Sequence, residues 1–255
     1  MLLTPLEQFQ IISVFSIKIF YLDFSLTNML IINAIVIIVF LSIFFFNSYK
    51  NYVNEVSFFI IPNTWQTLME MVYEIGFQLV FDNLNIKGEK YFPIISVLFI
   101  FILLNNLIGL VPYSFTITSH LIVTFILSSS IFIGINIICI KQHKLNILSL
   151  FIPANTSFML AILLVPIEFV SYIFKPISLG VRLFANLMAG HTLLKVIIGF
   201  SWSMMLLEDL FSIVHVVPLL ILVILMGLEL AVAFIQAYVF TILTCIYLND
   251  GINLH

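Results

Sequence analysis

Between Pro218 and Leu248 about 31 residues carry one formal charge, Glu229. As a helix rising 1.5 Å per residue this run is roughly 46 Å long, well beyond the hydrocarbon thickness of about 30 Å. Lipid supplies no water to satisfy a backbone N–H or C=O, so a run of this kind must close its hydrogen bonds within itself as a helix. The rest of the chain repeats the pattern. Leu26 to Phe46 offers about 21 nearly uncharged residues, Phe92 to Val111 a second crossing, and Ile117 to Ile140 a third. Ile147 to Phe200 is apolar for longer than one crossing needs. Pro153, Pro166 and Pro176 within it are expected to kink a helix without ending it, because neighbours satisfy the freed carbonyls. A polar break at Glu208, Asp209 and His215 separates this run from the last. Two overlong neighbours must tilt steeply or bend, and we read 147–248 as a tilted hairpin.

With 63% hydrophobic and 8% charged residues, the composition excludes a soluble domain, in which roughly a quarter of residues are charged. One stretch departs from the spanning pattern. After Pro62, Asn63 and Thr64, which suit a helix start, Trp65, Met69, Val72 and Leu79 share one face and Gln66, Glu70 and Glu74 the other. Residues 62–82 are therefore expected to form an amphipathic helix on the membrane surface or against a partner. Lys87 to Lys90 reads as a polar hinge, and Pro112 to Thr116 as a short turn. The expected fold is an all-α polytopic membrane protein. It forms a single domain over 1–255, with about five membrane-embedded helices (26–46, a hairpin at 92–140, the long hairpin at 147–248) and one surface helix. Cys139 and Cys245 lie in apolar runs without metal-like spacing and read as small hydrophobes. The start MLLTPLEQFQ lacks a basic region before an apolar core, so it is not expected to be a cleaved signal. If the first span runs outward to inward, Lys50, Lys87, Lys90, Lys141 and Lys144 all fall on the inner side, as the positive-inside rule requires.

Ionisable groups within such runs point to function. Arg182 stands in PISLGVRLFANLMAGHTLLK, and an unpaired arginine at lipid depth costs roughly 3 kcal/mol on insertion scales. At helical spacing Arg182, Ala185, Asn186 and Ala189 fall on one face while His191 points the opposite way. The small residues beside the arginine allow another helix close approach, so this face is read as kept open for something outside the helix. Glu168, fourteen residues earlier, lies about 21 Å away along a straight helix, too far to pair with Arg182. It either pairs with Lys175 or lines water nearer the inner side. In the last run Glu229, Ala233, Gln236 and Phe240 share a face. Measured from the break near Glu208, His191 and Glu229 come to similar depth, suiting a proton relay or a structural pair. Asn105 and Asn106 either bond neighbouring helices or line a polar cavity. Lys195 is read as reaching along its stem to the outer surface. His120, His143, His215 and His255, at span ends or in loops, are assigned no chemistry.

SLGVRLFANLMAGH at Ser178–His191 closely resembles the signature of subunit a of F-type ATP synthases. LELAVAFIQAYVFTILTCIYL at Leu228–Leu248 resembles that family's last helix, and TPLEQFQI at Thr4–Ile11 is similar to mitochondrial members. His191 and Glu229 stand in the mitochondrial arrangement, exchanged relative to many bacterial members. The resemblance implies a stator subunit that couples proton flow to ATP synthesis and has no cofactor or metal. Arg182 would face the carboxylates of a rotating ring of c subunits. His191 and Glu229 would belong to an inlet half-channel from the intermembrane space, Glu168 to an outlet toward the matrix, and Asn186 and Gln236 would neighbour the arginine. The implied partners are the c-ring, peripheral-stalk and other membrane subunits, lipid and protons, with no nucleic acid. The implied location is the mitochondrial inner membrane, with the N-terminus toward the intermembrane space and the C-terminus toward the matrix. No phosphate-cradling glycine loop is present, so nucleotide chemistry would lie on other subunits. The alternative is an ion-coupled transporter or channel working alone, which the absence of an evident internal repeat weakens.

Overall fold

A computed structural model describes residues 7–19, 22–53, 64–111, 114–144, 158–205 and 216–252. The polar break at Glu208, Asp209 and His215, the residues Pro62, Asn63, Pro112 and Pro153, and His255 lie outside the described residues. Six α-helices carry the chain: α1 (Asn28–Val53), α2 (Thr64–Leu84), α3 (Phe92–Gly109), α4 (Leu121–His143), α5 (Phe158–Met205) and α6 (Val216–Ile252). Among the described residues four helical stretches are long and apolar enough to cross a membrane: Gly88–Gly109, Leu121–His143, Leu160–Met205 and Val216–Ile252. The apolar part of α1, Asn28–Ser42, is shorter.

The N-terminal segment holds structure that the hydropathy pattern did not indicate. Strands β1 (Ser13–Phe15) and β4 (Leu26–Thr27) pair antiparallel around a tighter pair, β2 (Lys18–Ile19) and β3 (Leu22–Asp23). Strands of two or three residues are too short to display a period-2 signature. They also set where α1 begins, two residues later than expected. Thr27 Oγ1 accepts from the Leu30 N–H at 3.4 Å, an N-cap, while Asn28 Nδ2 donates to the Gln10 carbonyl at 3.1 Å. At its other end α1 continues to Val53, past Lys50, because polarity ends the lipid-compatible stretch without breaking a helix.

The chain divides into two compact units that share α1, α3, α5 and α6. One comprises 47–100, 121–182 and 238–255, and its core is Val80, Leu84, Ile95, Ile135, Cys139, Cys245, Leu248 and Ile252. Both cysteines are free and buried there as small apolar groups. Helix α2 turns Gly76, Leu79, Val80 and Leu84 inward and leaves Glu70 and Glu74 exposed, as its periodicity required. The segment expected to be a polar hinge is instead a 3₁₀ run, Asn85–Tyr91, with Gly88 buried against Leu84 and Val80. Helix α4 carries its hydroxyls by bonding them to its own carbonyls: Thr124 to Leu121, Ser128 to Phe125 and Ser130 to Leu127. Lys144, at φ 50°, closes it in the left-handed region. His143 Nε2–H donates to the Ile252 carbonyl at 2.9 Å, satisfying a helix-end acceptor of α6.

The other unit comprises 1–46, 101–120 and 183–237. Val36, Ile102, Leu103, Leu183, Leu187, Ala233 and Ala237 are buried in it. Helix α5 runs unbroken through Pro166 and Pro176, and Pro218 sits in the first turn of α6, where a missing N–H costs nothing. At 48 and 37 residues α5 and α6 are about 72 and 56 Å long, so each exceeds the hydrocarbon core as expected.

Gly180 marks a close approach of α5 to α4: a Cβ there would lie 2.8 Å from Ser128 Oγ and 3.0 Å from the Thr124 carbonyl oxygen. Gly180→Val is therefore expected to destabilise the protein by about 1–3 kcal/mol, read as loss of purified yield and thermal stability. Adding Ser128→Ala should recover only part of the loss, since the Thr124 carbonyl cannot move aside; full recovery would show the backbone contact to be unimportant.

Candidate functional site

Helix α5 places Arg182 where its leucines dictate. Leu179, Leu183 and Leu187 are buried, whereas Arg182, Ala185, Asn186 and Ala189 are all exposed on the opposing stripe. Among the described residues no hydrogen bond or ion pair holds Arg182. Among the described residues nothing covers this charged face, which Ala185 and Ala189 keep low beside the arginine.

Nine residues on, the surroundings differ. An ideal Cβ on Gly190 would fall 2.6 Å from Glu229 Oε1 and 3.1 Å from its Cδ, so the Glu229 carboxyl group lies directly against the α5 backbone beside His191. The expected common level of His191 and Glu229 is therefore present. No hydrogen bond or ion pair joins them: His191 Nε2 and both Glu229 carboxylate oxygens are buried without a partner. One turn along α6, Ala233 is 0% exposed, and its carbonyl accepts from Asn106 Nδ2 at 3.3 Å. Asn106 is itself 0% exposed, with Oδ1 unpartnered. Gln236 follows on the same buried face. Asn105, though buried, folds back on its own helix and donates to the Phe101 carbonyl at 2.8 Å. The two asparagines thus separate: one reaches α6, the other does not.

Glu168 is half-buried, with Oε2 buried and unpartnered. Its pairing with Lys175 is not found. Lys175 Nζ instead lies 3.4 Å from Asp250 Oδ2 and faces the rings of Tyr172 at 5.5 Å and Tyr247 at 4.7 Å. A carboxylate at the far end of α6 is invisible to spacing along α5, so of the two readings open for Glu168 the pairing with Lys175 is the one that falls. Tyr172 also donates to Asn136 Oδ1 of α4. Sequence reasoning further passed over Thr118 and His120, whose Oγ1 and Nε2 are buried without partners. The available signal was TITSH between two apolar runs, a cluster of polar side chains at a span end.

The family model for ATP synthase A chain matches residues 28–249. The chain belongs to that family. It is similar to ATP synthase subunit a of Pylaiella littoralis, 53% identical over 99% of both chains, and to that of Chondrus crispus, 50% identical over 99% of this chain and 97% of the other. The subunit a of Marchantia polymorpha is 45% identical over 99% of both chains. A chain of this family is the proton-translocating subunit of an F-type ATP synthase, and this one is a multi-pass inner-membrane protein.

In a subunit a built this way, Gly190 decides where the Glu229 carboxylate rests. Gly190→Ala should displace the carboxylate without breaking α5, since the atoms it meets are the end of a flexible side chain. Proton-driven ATP synthesis is expected to fall roughly 10- to 100-fold in an assembled complex. Unchanged synthesis would mean that this position is not used.

Proposed function

We propose that the chain forms two offset proton half-channels separated by Arg182 and works against a rotating ring of c subunits. The observation that carries this reading is the exposed stripe of Arg182, Ala185, Asn186 and Ala189, a cation beside small side chains with no counter-charge among the described residues. A counter-charge from another polypeptide removes the cost of holding that cation at lipid depth, and the two alanines admit a close helix.

His191 and Glu229 act in the inlet, where a group titrating near neutral pH and a carboxylate at one level receive protons from the intermembrane space and deliver them to a ring carboxylate. Glu168 receives them on the matrix side. Arg182 faces the ring carboxylate between the two, so a proton crosses only by riding the ring around the guanidinium. Asn186 and Gln236 hold polar contacts beside it, and Asn106, with Asn105 nearby in sequence, lines the inlet. Each charge crossing 100 mV releases about 2.3 kcal/mol, which biases rotation in one direction. Nucleotide chemistry then belongs to other subunits, held to this one through the peripheral stalk. The basic residues Lys141 and Lys144 at the end of α4 support a matrix position for that end, with the N-terminus toward the intermembrane space and the C-terminus toward the matrix.

In a reconstituted complex, Arg182→Ala is expected to abolish proton-driven ATP synthesis while the complex still assembles; retained synthesis would overturn the gating role. Glu229→Gln should slow synthesis by roughly 100-fold or more, the usual size of a lost acid–base group, and a normal rate would remove Glu229 from the path. Combining His191→Glu with Glu229→His should recover part of what each single change loses, as a double-mutant cycle would register for two groups of one relay. The chain alone in liposomes should carry little proton flux; substantial flux would favour a self-contained transporter.

A further inference from the structure

Between α3 and α4 the chain folds into a tight knot. Ser114 Oγ lies 2.7 and 2.8 Å from the carbonyls of Ile108 and Val111. Thr116 Oγ1 donates to Ser119 Oγ, and Ser119 Oγ to the Thr116 carbonyl, each at 2.6 Å. Ile117–Ser119 forms one 3₁₀ turn, closed by the His120 N–H on the Ile117 carbonyl at 3.2 Å. The His120 ring stacks on Phe115 with centroids 5.1 Å apart, and Thr116 packs against Gly109, where a Cβ would come within 3.0 Å of its methyl.

Within a knot whose other hydroxyls are satisfied, Thr118 Oγ1 and His120 Nε2 are buried and have no partner, although Thr118 is only 6% exposed. A buried polar atom left unpaired costs about 1–3 kcal/mol, so a pair of them calls for a reason. Their position supplies one. Thr116 rests on Gly109, and one turn before Gly109 on α3 is Asn106, again with an unpartnered buried oxygen. Asn106 bonds to Ala233, one turn from Glu229, which lies on Gly190 beside His191. Through these contacts the loop, Asn106 and the Glu229 carboxylate follow one another inside one compact unit, each with a buried polar atom left unpartnered.

We propose that His120, with Thr118, forms the outer mouth of the proton inlet and feeds Asn106, Glu229 and His191. The proposal rests on the reading of Glu229 and His191 as inlet groups. An imidazole there accepts a proton on one nitrogen from the outer surface and releases one from the other toward Thr118 and Asn106. The Thr118 hydroxyl relays by accepting one proton as it gives up its own, while the Asn106 carbonyl oxygen only accepts a hydrogen bond and orients the path without exchanging a proton. Burial pushes the His120 imidazole below its ordinary value, and no charged side chain among the described residues offsets this. The ring is thus neutral at rest and holds a captured proton only briefly.

The test uses the assembled synthase in liposomes under an imposed proton gradient, with His120→Ala and Glu229→Gln compared in parallel. His120→Ala is expected to lower ATP synthesis roughly tenfold, with imidazole added outside restoring much of it. Pyrazole, of the same shape but a far weaker base, should restore none. A normal rate in His120→Ala, or the same response to both azoles whether they restore synthesis or not, overturns the proposal. If His120→Ala fails to assemble, His120→Gln and Thr118→Val replace it, and normal rates in both overturn the proposal. A slow Glu229→Gln beside a normal His120→Ala removes the mouth alone, whereas a normal Glu229→Gln removes the inlet itself.

Discussion

A guanidinium cannot shed its charge, and at lipid depth it must find a counter-charge or leave. Among the described residues Arg182 has no such counter-charge. Leu179, Leu183 and Leu187 turn one side of α5 into its own protein, and the geometry of an α-helix then leaves Arg182 on the other side with Ala185, Asn186 and Ala189. Helix α5 continues through Pro166 and Pro176 to Met205, so the arginine is held in mid-helix, far from either end where a long side chain reaches water. In the proposed reading that surface is an interface, and a chain of the ATP synthase A chain family works with other subunits of a larger complex.

Polar side chains elsewhere in these helices are satisfied close to home. Serines and threonines of α4 and α6 bond to carbonyls one turn back, Asn105 does the same, and Lys175 finds Asp250. The exceptions are few: Glu168 in one unit, and Asn106, Thr118, His120, His191 and Glu229 in the other. Nearly all can accept or relay a proton. A buried polar atom left unpaired is costly, and it is on these groups that the proposed half-channels draw.

Much of this was legible before any coordinates. Charge spacing alone marked the spanning helices and the outward Glu70 and Glu74 of α2, and helical periodicity alone turned Arg182 away from its leucines. What spacing could not show involved partners distant in the chain. Lys175 appeared to belong with Glu168 because both lie on one helix, yet Asp250 reaches it from another. The short β ladders before α1 were hidden because two or three residues cannot express a period. His120 looked like a span-end histidine because nothing local reports that a loop has folded inward.

The chain by itself determined that it must be helical and which face of α5 is charged, because lipid forbids unsatisfied backbone and a helix fixes the direction of every side chain. Only the tertiary structure decided which groups meet. Glu229 reaches the α5 backbone because Gly190 leaves room for it, and Asn106 reaches Ala233 because α3 packs on α6. Contacts of that kind depend on how whole helices approach one another, which is set by packing many side chains at once rather than by any local run of residues.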